Sequence, residues 1–388
     1  MGLTDRASAD ADVIVVGAGP AGSVAAWALA EAGRSVILLD RRRFPRDKAC
    51  GEGILPKGVA VLERMGLVPS LLAAGAQSFG GIRYHAPGGR TAVGAFPAGS
   101  RGLGVRRVVL DETLLAVARA HRNVRVEESF VVRDILRDAR GAVTGVTDGE
   151  RALRAPLTIG ADGARSTVRR QAGLDGAPTA RQAVRMHFRP AIAPARQDLV
   201  DVYVGGACES YVTPVAPGEY GVAFLADGAF PFDARVEATD EPAAERLIRA
   251  ALAPRDGIAS ILASAPSISS PLAMTGIGRT ATSPVADGLV LLGDAAGSPD
   301  PITGMGIAFA MRCASRIPAA LAGAFAANDF SAARLAPYAK MRRGEVAGGF
   351  AVTHAVLWLA SRDARAEWAI RALGIAPAAF TALYRLAA

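Results

Sequence analysis

A glycine-rich turn between two short apolar segments constrains the fold of this chain more than any other feature of its sequence. The segment Val13 to Val16 is a β-branched run of the kind that forms a buried strand of a parallel sheet. Residues 17–22 have the pattern Gly-x-Gly-x-x-Gly and lead into an Ala-rich segment that ends near Gly33. A second apolar run, Val36 to Leu39, ends on Asp40. The order strand, glycine turn, helix and strand predicts a βαβ unit.

Each position in this turn has a physical role in binding a dinucleotide. Gly17 permits the tight turn, Gly19 lets the backbone approach a pyrophosphate, and Gly22 lets helix and strand pack closely. The N-terminus of the helix supplies NH groups and partial positive charge to the phosphates. Asp40 stands where a carboxylate accepts hydrogen bonds from ribose hydroxyls and repels a 2′-phosphate, which excludes NADP as the bound nucleotide. We assign to the same site Pro20, Ala21 and Arg41.

Two later segments share one design, an apolar strand that runs into a polar turn. Residues 157–166 carry Asp162 and Gly163 at the end of the strand, and residues 289–297 carry Gly293 and Asp294. The glycine turn alone does not distinguish NAD from FAD. A dehydrogenase that binds only NAD would lack both later segments.

The three motifs together resemble those of the para-hydroxybenzoate hydroxylase-like flavoproteins, which include aromatic monooxygenases, flavin halogenases and geranylgeranyl reductases. The resemblance implies bound FAD, with NADPH or NADH as the reductant. It implies further that Asp294 binds a ribityl hydroxyl of FAD, and that Asp162, Gly163 and Gly293 belong to the cofactor site. A second interpretation of Asp162, as the cap of a helix that follows it, stays open beside this one.

Two further segments resemble parts of the flavin site in this family. A loop with Pro301, Gly304, Met305 and Gly306 precedes an apolar helical run, so we expect NH groups at a helix start to face N1 and the C2 oxygen of the flavin. Arg107 matches an Arg that opens a helix beneath the cofactor, and it matches better than Arg106. A solvated Arg at a helix start is the alternative for Arg107.

The loop that follows the second strand indicates the branch of the family. Cys50 and Gly51 resemble the Cys-Gly loop of geranylgeranyl reductase-like proteins, and this loop is expected to pass over the flavin. Cys50 either contacts flavin or substrate or is a small buried apolar residue, and the sequence leaves both open. Cys50, Cys208 and Cys313 are far apart and form no Cys-x-x-Cys pair, which favours a reducing compartment and predicts no metal site.

The region from residue 180 to residue 230 alternates apolar and polar residues, which predicts antiparallel strands with one buried face. We expect this sheet to bind the substrate, with His187 and Tyr211 as candidates to bind a phenol or a carbonyl. A structural role is the alternative for both residues. Geranylgeranyl reductases commonly have a Tyr-x-Trp-x-Phe-Pro stretch here, whereas this chain has Tyr211-Val212-Thr213-Pro214.

These features predict an α/β fold with a Rossmann-like, glutathione reductase-like FAD-binding domain, an inserted antiparallel-sheet substrate domain and C-terminal helices. The FAD-binding domain is expected at residues 1–78, 105–178 and 274–332, and the substrate domain at 79–104 and 179–273. The C-terminal helical segment is expected at 333–388. Its apolar runs are shorter than the ~20 residues of a membrane-spanning helix. They either cap the substrate cavity or contact a membrane surface.

Composition excludes some other classes of protein. The chain has 388 residues, of which 51% are hydrophobic and 21% charged, as in a soluble globular protein. The net charge of +8 is spread along the sequence without a basic stripe, so we expect no nucleic acid as a partner. The residues before Val13 contain no apolar signal core, which favours a cytoplasmic location with peripheral membrane contact as an option.

Three hypotheses for function follow from the resemblance. The first is an NAD(P)H-driven monooxygenase that hydroxylates or epoxidises a lipophilic phenol, quinone or polyketide-like metabolite. The second is an alkene reductase that acts on an isoprenoid. The third is a flavin-holding lipid carrier without turnover. The missing aromatic stretch favours the first hypothesis over the second.

Overall fold

The computed structural model describes residues 9–177, 179–192, 198–205, 209–226, 241–297, 300–360 and 362–375. The leader before residue 9, Cys208, and the second apolar run beyond residue 375 lie outside the described residues.

Strands and helices alternate along the first part of the chain, as the sequence predicts. The strands in chain order are β1 (Val13–Val16), β2 (Val36–Asp40), β3 (Gly53–Ile54), β4 (Gln77–Phe79), β5 (Gly81–His85), β6 (Thr91–Ala95), β7 (Gly102–Gly104), β8 (Val124–Glu128), β9 (Asp134–Arg137), β10 (Val143–Thr147), β11 (Ala152–Arg154), β12 (Leu157–Gly160), β13 (Gln182–Phe188), β14 (Leu199–Tyr203), β15 (Glu209–Ala216), β16 (Glu219–Ala226), β17 (Leu272–Thr275), β18 (Val285–Ala286) and β19 (Leu289–Leu291).

The α-helices in chain order are α1 (Pro20–Glu31), α2 (Pro56–Arg64), α3 (Val68–Ala73), α4 (Arg107–Ala120), α5 (Thr167–Gln171), α6 (Glu241–Leu252), α7 (Ile258–Ser264), α8 (Gly306–Ser315), α9 (Ile317–Ala320), α10 (Ala322–Ala327), α11 (Ala332–Ala360) and α12 (Asp363–Ile375).

A six-stranded sheet in the order β18-β19-β12-β1-β2-β8 forms the centre of the fold. Its strands pair in parallel except β18, which is antiparallel to β19. Val13 and Val15 of β1 pack on one face against α1, α4 and α8, whereas Ile14 and Val16 pack on the other against the small sheet β9-β10-β11. Both faces of β1 are buried, which explains its continuous apolar sequence. The predicted α/β, Rossmann-like fold class is confirmed.

A seven-stranded sheet in the order β17-β13-β16-β15-β14-β5-β6 stands apart from the parallel sheet. Most of its strands pair antiparallel, but β14 and β5, which lie far apart in the chain, pair in parallel. The expectation of one buried face is wrong. Val184, Met186 and Phe188 pack against α6 and α7, while Val202 faces the opposite side and joins a second apolar cluster.

The C-terminal helices extend that second cluster. Ala366 and Ile370 of α12 pack in the same cluster as Val202, and α12 lies against β6. The outer side of the helices exposes Trp358 and Trp368, which are 59% and 67% accessible. Among the described residues, no helix is both long enough and apolar enough to cross a membrane.

Candidate functional site

A cavity of about 910 Å³ lies between the ends of the parallel strands and the seven-stranded sheet. The residues that the sequence assigned to the cofactor or the substrate converge on it from segments far apart in the chain. The lining includes Gly17, Gly19, Pro20, Ala21, Asp40, Arg41, Cys50, Gly51, Arg107, Asp162, Gly163, Gly293, Asp294, Pro301, Gly304, Gly306 and Tyr211.

The three other residues assigned from the sequence are buried nearby and are not part of this lining. Gly22 packs so tightly that a Cβ on it would lie 1.8 Å from the carbonyl oxygen of Gly17. Met305 is buried directly before α8, and His187 is fully buried in β13. Gly22 therefore allows helix and strand to pack closely, which is the role its motif position predicts.

The glycine turn leaves open space for a phosphate between two Arg side chains. An added Cβ on Gly19 would meet only the guanidinium nitrogens of Arg46, at 3.6 Å, and Arg107, at 4.0 Å. The turn leads into the N-terminus of α1, which begins at Pro20. Backbone NH groups, the helix dipole and two guanidiniums thus surround one point, an arrangement that suits a pyrophosphate.

Asp40 ends β2 beside this turn and keeps part of its hydrogen-bonding capacity free. Its Oδ2 accepts a hydrogen bond from the Ala18 backbone N at 2.9 Å and contacts Arg46 Nη2 at 3.2 Å, while Oδ1 accepts from the Arg42 backbone N at 2.9 Å. Each carboxylate oxygen accepts up to two hydrogen bonds, so Oδ1 of Asp40 can still accept one more, from a ribose hydroxyl.

Arg107 opens α4 and turns its side chain toward the cavity. Its guanidinium forms two hydrogen bonds of 2.7 Å with Asp111, which is fully buried and also binds Arg46 at 2.9 Å. Arg106 instead lies 3.7 Å from Glu219 and is not part of the cavity lining. A paired and buried Arg107 holds its charge in a fixed position, as an anion site requires.

Asp162 caps a helix as well as facing the cavity. Its carboxylate accepts hydrogen bonds from the Ser166 hydroxyl at 2.5 Å and from the backbone N of Thr167 at 2.7 Å and Val168 at 3.2 Å. Burial raises the pKa of the Asp162 carboxyl above its ordinary value, although these hydrogen bonds act in the opposite direction. The capping interpretation agrees with these contacts, and the cofactor role of Asp162 stays a prediction.

Asp294 differs from Asp162 in its contacts. It lines the cavity within a short 3₁₀ turn, and in the described part of the chain no protein group donates a hydrogen bond to its carboxylate. Buried Arg169 fixes the backbone here, since it donates to the carbonyl oxygens of Ala295 at 3.1 Å and Ala164 at 2.7 Å. Arg169 therefore ties the two strand-end turns together and leaves the Asp294 carboxylate available to a ligand.

The glycines of the loop before α8 present bare backbone to the cavity, which Pro301, Ile302 and Thr303 of the same loop also line. Gly304 has a positive φ of 66°, and a Cβ added to Gly304, Gly306 or Gly51 would meet no atom within 4 Å. Helix α8 begins at Gly306, so the positive end of its dipole faces this open space. A flat ring could lie between the loop and Gly51 with helix NH groups at its edge.

Glu52 and His187 join the Cys50 loop to the seven-stranded sheet. Glu52 Oε1 accepts a hydrogen bond from the Arg107 backbone N at 2.9 Å, and Oε2 lies 2.7 Å from His187 Nε2. Arg185 Nη1 can only donate to His187 Nδ1, at 2.9 Å, so the imidazole carries its proton on Nε2 and donates to Glu52. These contacts agree with a structural role for His187, and its role in binding substrate stays a prediction.

Several residues of the site carry no motif and were missed from the sequence. Lys48 lines the cavity, and burial lowers the pKa of its ammonium group while the charge of Asp294 acts in the opposite direction. Arg46, Arg169 and Glu52 become recognisable only when their partners come together in the fold. The one available signal was that Arg46, Lys48 and Glu52 flank the Cys-Gly loop.

The donor set fits FAD along the whole cavity. Arginines and the glycine turn suit the pyrophosphate, Asp40 the ribose, Asp294 a ribityl hydroxyl, and the start of α8 the flavin ring. The model of the FAD binding domain family matches residues 10–347 of the chain. The chain belongs to this family of FAD-binding oxidoreductases. The resemblance to the para-hydroxybenzoate hydroxylase-like flavoproteins is thereby confirmed.

Similar proteins include reductases of different substrates. The chain is 41% identical over 169 residues to a menaquinone reductase of Mycolicibacterium smegmatis, an alignment that spans 42% of this chain and 40% of that protein. It is 30% identical over 86% of its length to a digeranylgeranylglycerophospholipid reductase of Methanothrix thermoacetophila, of which it covers 83%. A flavoprotein/dehydrogenase structure from Cytophaga hutchinsonii is 26% identical with a TM-score of 0.73, covering 89% of this chain and 85% of that one.

Proposed function

We propose that this FAD-dependent oxidoreductase reduces a carbon–carbon double bond in an isoprenoid-bearing lipid, with NADPH or NADH as the reductant. The observation that carries the proposal is the 30% identity with a digeranylgeranylglycerophospholipid reductase along most of both chains. The shorter match to a menaquinone reductase agrees with it, although that match spans only 40% of the relative. Both relatives are named as reductases of a lipophilic compound.

The far wall of the cavity supports a lipophilic substrate. Ile82, Val200, Val202, Ala223 and Leu225 belong both to the lining and to a buried apolar cluster. An apolar wall of this kind binds an apolar chain through burial of its surface. It also excludes water from the reacting carbon atoms, which favours transfer of hydride over side reactions.

When bound, FAD would supply hydride transfer from the reductant to one carbon of the double bond, and the other carbon would take a proton from solvent. The protein itself then has three tasks. Arg46 and Arg107 hold the pyrophosphate, the N-terminus of α8 stabilises negative charge at the edge of the ring, and the Cys50-Gly51 loop covers the ring.

The product distinguishes the proposed reductase from its rivals. FAD-loaded protein is incubated with NADPH and a geranylgeranyl lipid in the absence of oxygen, and the product is analysed by mass spectrometry. The proposal expects a product with two more hydrogen atoms. A product that forms only in air and contains one more oxygen atom would contradict it. Absence of any NADPH oxidation would favour the flavin-holding carrier.

The monooxygenase stays as the second candidate because of one observation on the substrate sheet. Where prenyl reductases commonly have a Trp and a Phe, this chain has Tyr211 and Thr213 facing the cavity. The Thr213 hydroxyl donates to the Gly51 carbonyl oxygen at 2.8 Å, so it supports the Cys50-Gly51 loop rather than offering an aromatic surface. A ring substrate, such as a phenol or quinone, is compatible with Tyr211 and Thr213 at these two positions of an otherwise apolar wall.

A further inference from the structure

A largely buried ion pair joins the loop before α8 to the seven-stranded sheet. Asp300 stands at the start of this loop and caps its 3₁₀ turn, since Oδ1 accepts a hydrogen bond from the Ile302 backbone N at 2.9 Å. Arg181 lies directly before β13, and its Nη2 donates to the same oxygen at 3.1 Å, while its Nε lies 2.8 Å from Oδ2. One carboxylate thus holds the loop and the sheet together.

Arg181 is itself fixed by the sheet at both its side chain and its backbone. The side chain is 5% accessible and pairs with Glu209 at the start of β15. The carbonyl oxygen of Arg181 accepts hydrogen bonds from the backbone N of Gly276 at 3.0 Å and of Ile277 at 3.2 Å. Because a guanidinium is a rigid planar fork, one that is fixed in this way sets both the distance and the direction of the Asp300 carboxylate.

The loop between Asp300 and α8 carries the part of the cavity that suits the flavin ring. Gly304 and Gly306 have no side chain that could fix their own position, and the NH groups at the start of α8 follow directly. These NH groups stabilise negative charge only at short range. FAD gains negative charge on reduction, so the position of the loop affects the binding of reduced FAD more than that of oxidised FAD.

We infer that Asp300 and Arg181 are positioning residues, which hold the NH groups at the start of α8 against the flavin ring and so set how strongly the protein prefers reduced to oxidised FAD. Neither residue is part of the cavity lining, so both act through the loop. The inference goes beyond the proposed function, because it concerns the cofactor and applies equally to a reductase and to a monooxygenase.

Charge and position predict opposite effects for Asp300→Asn. Loss of one negative charge near the cofactor would by itself favour the anionic reduced form. Loss of the ion pair with Arg181 frees the loop, although the Asn side chain can still cap the turn, and this disfavours the reduced form. We expect the preference for reduced over oxidised FAD to fall about fivefold, as for a typical helix-terminus interaction. The midpoint potential of bound FAD, measured anaerobically against a reference dye, gives this ratio without substrate or turnover.

Arg181→Lys is the second variant of this test. It keeps the positive charge, but an ammonium group lacks the planar fork that contacts both oxygens of Asp300. The preference for reduced FAD should therefore fall in this variant too, whereas an effect of charge alone would leave it unchanged.

The other face of the same sheet offers a matched control. Asp201 is 2% accessible, accepts hydrogen bonds from Arg83 Nε at 2.5 Å and Nη2 at 3.1 Å, and is not part of the cavity lining. Asp201→Asn also takes a buried carboxylate from an Arg, so it should lower the melting temperature as Asp300→Asn does. It should leave the preference for reduced FAD unchanged.

Three outcomes would overturn the inference. These are a preference that rises or stays the same in Asp300→Asn, an unchanged preference in Arg181→Lys, and an equal fall in Asp201→Asn. Thermal melting of the FAD-free variants shows whether they fold, and Arg181→Lys decides the matter if Asp300→Asn does not. If the preference falls as expected but the wild-type protein never reduces an isoprenoid, the proposed function fails and the positioning role stands.

Discussion

The two walls of the cavity differ in how they use polar groups. On the nucleotide side, Asp40, Arg46, Arg107 and Asp111 form a connected set in which buried charges have partners. On the sheet side, the cavity is lined mainly by apolar residues such as Ile82, Val202 and Leu225. The first wall suits a ligand whose charges are always the same, as in a cofactor. The second suits a ligand recognised mainly by its shape and its apolar surface.

The largest expected effect is on the nucleotide side. Arg107→Ala would leave buried Asp111 with Arg46 as its remaining cation, so the free energy of unfolding should fall by about 3–5 kcal/mol and FAD should be lost. Chemical denaturation and FAD titration measure the two effects. Arg106→Ala is the control, since Arg106 is part-exposed and lies 3.7 Å from Glu219. Equal losses of stability and of FAD affinity in the two variants would show that Arg107 has no particular role in either.

The second largest effect on stability is expected where the two walls contact each other. His187→Leu removes the hydrogen bond to Glu52 and leaves a buried carboxylate with fewer donors, so we expect a loss of stability of about 2–3 kcal/mol. If His187 is structural, the KM of the folded variant stays the same. His121→Leu is the control, because His121 is only half-buried and lies 3.8 Å from Glu31. A raised KM with unchanged stability would instead give His187 the substrate role that the sequence suggested.

Substitution of Asp294 is expected to weaken FAD binding without changing the stability of the FAD-free protein. Its carboxylate accepts no hydrogen bond from the described protein, so Asp294→Ala should leave the unfolding of the FAD-free protein nearly unchanged. FAD binding should weaken by about 2 kcal/mol, the typical value for a hydrogen bond to a charged group. Isothermal titration with FAD measures this loss. A destabilised FAD-free protein with normal FAD affinity would reverse the assignment.

The smallest effect on the folded protein is expected at the outer face of the C-terminal helices. Contact of these helices with a membrane stays a prediction, and exposed Trp368 beside exposed Arg371 is its best candidate. Trp368→Glu should change stability by less than about 0.5 kcal/mol yet reduce cosedimentation with vesicles that contain phosphatidylglycerol. The control is Leu72→Glu, which changes an exposed apolar residue on α3 and should leave cosedimentation unchanged. Equal cosedimentation of both variants would remove the prediction.

The comparison of the two walls also explains what the sequence could predict. The glycine turn, Asp162 and Asp294 each lie at the end of a strand within a short local pattern, so sequence alone was sufficient to bring them to one edge of a sheet. Arg46 and Arg169 were missed because their roles depend on partners brought together by the fold.

The substrate sheet was less predictable for a related reason. Alternation along β13 shows that two faces differ, but it cannot show that α6 and α7 bury the outer one. Nor does it reveal that His187 contacts Glu52, or that Tyr211 belongs to the cavity lining. Both are single polar residues on strands, and only the tertiary structure distinguishes them.

Anaerobic reoxidation of the reduced flavin tests the central claim most directly. The FAD-loaded protein is reduced without oxygen and mixed in a stopped-flow instrument with a prenylated quinone, while the flavin absorbance is recorded. Because a quinone ring also accepts electrons, the product is analysed for a saturated side chain as well. We predict that the flavin is reoxidised in the absence of oxygen and that a double bond in the prenyl chain of the quinone becomes saturated. A flavin that stays reduced until oxygen is admitted, followed by a product with a new oxygen atom, would contradict it.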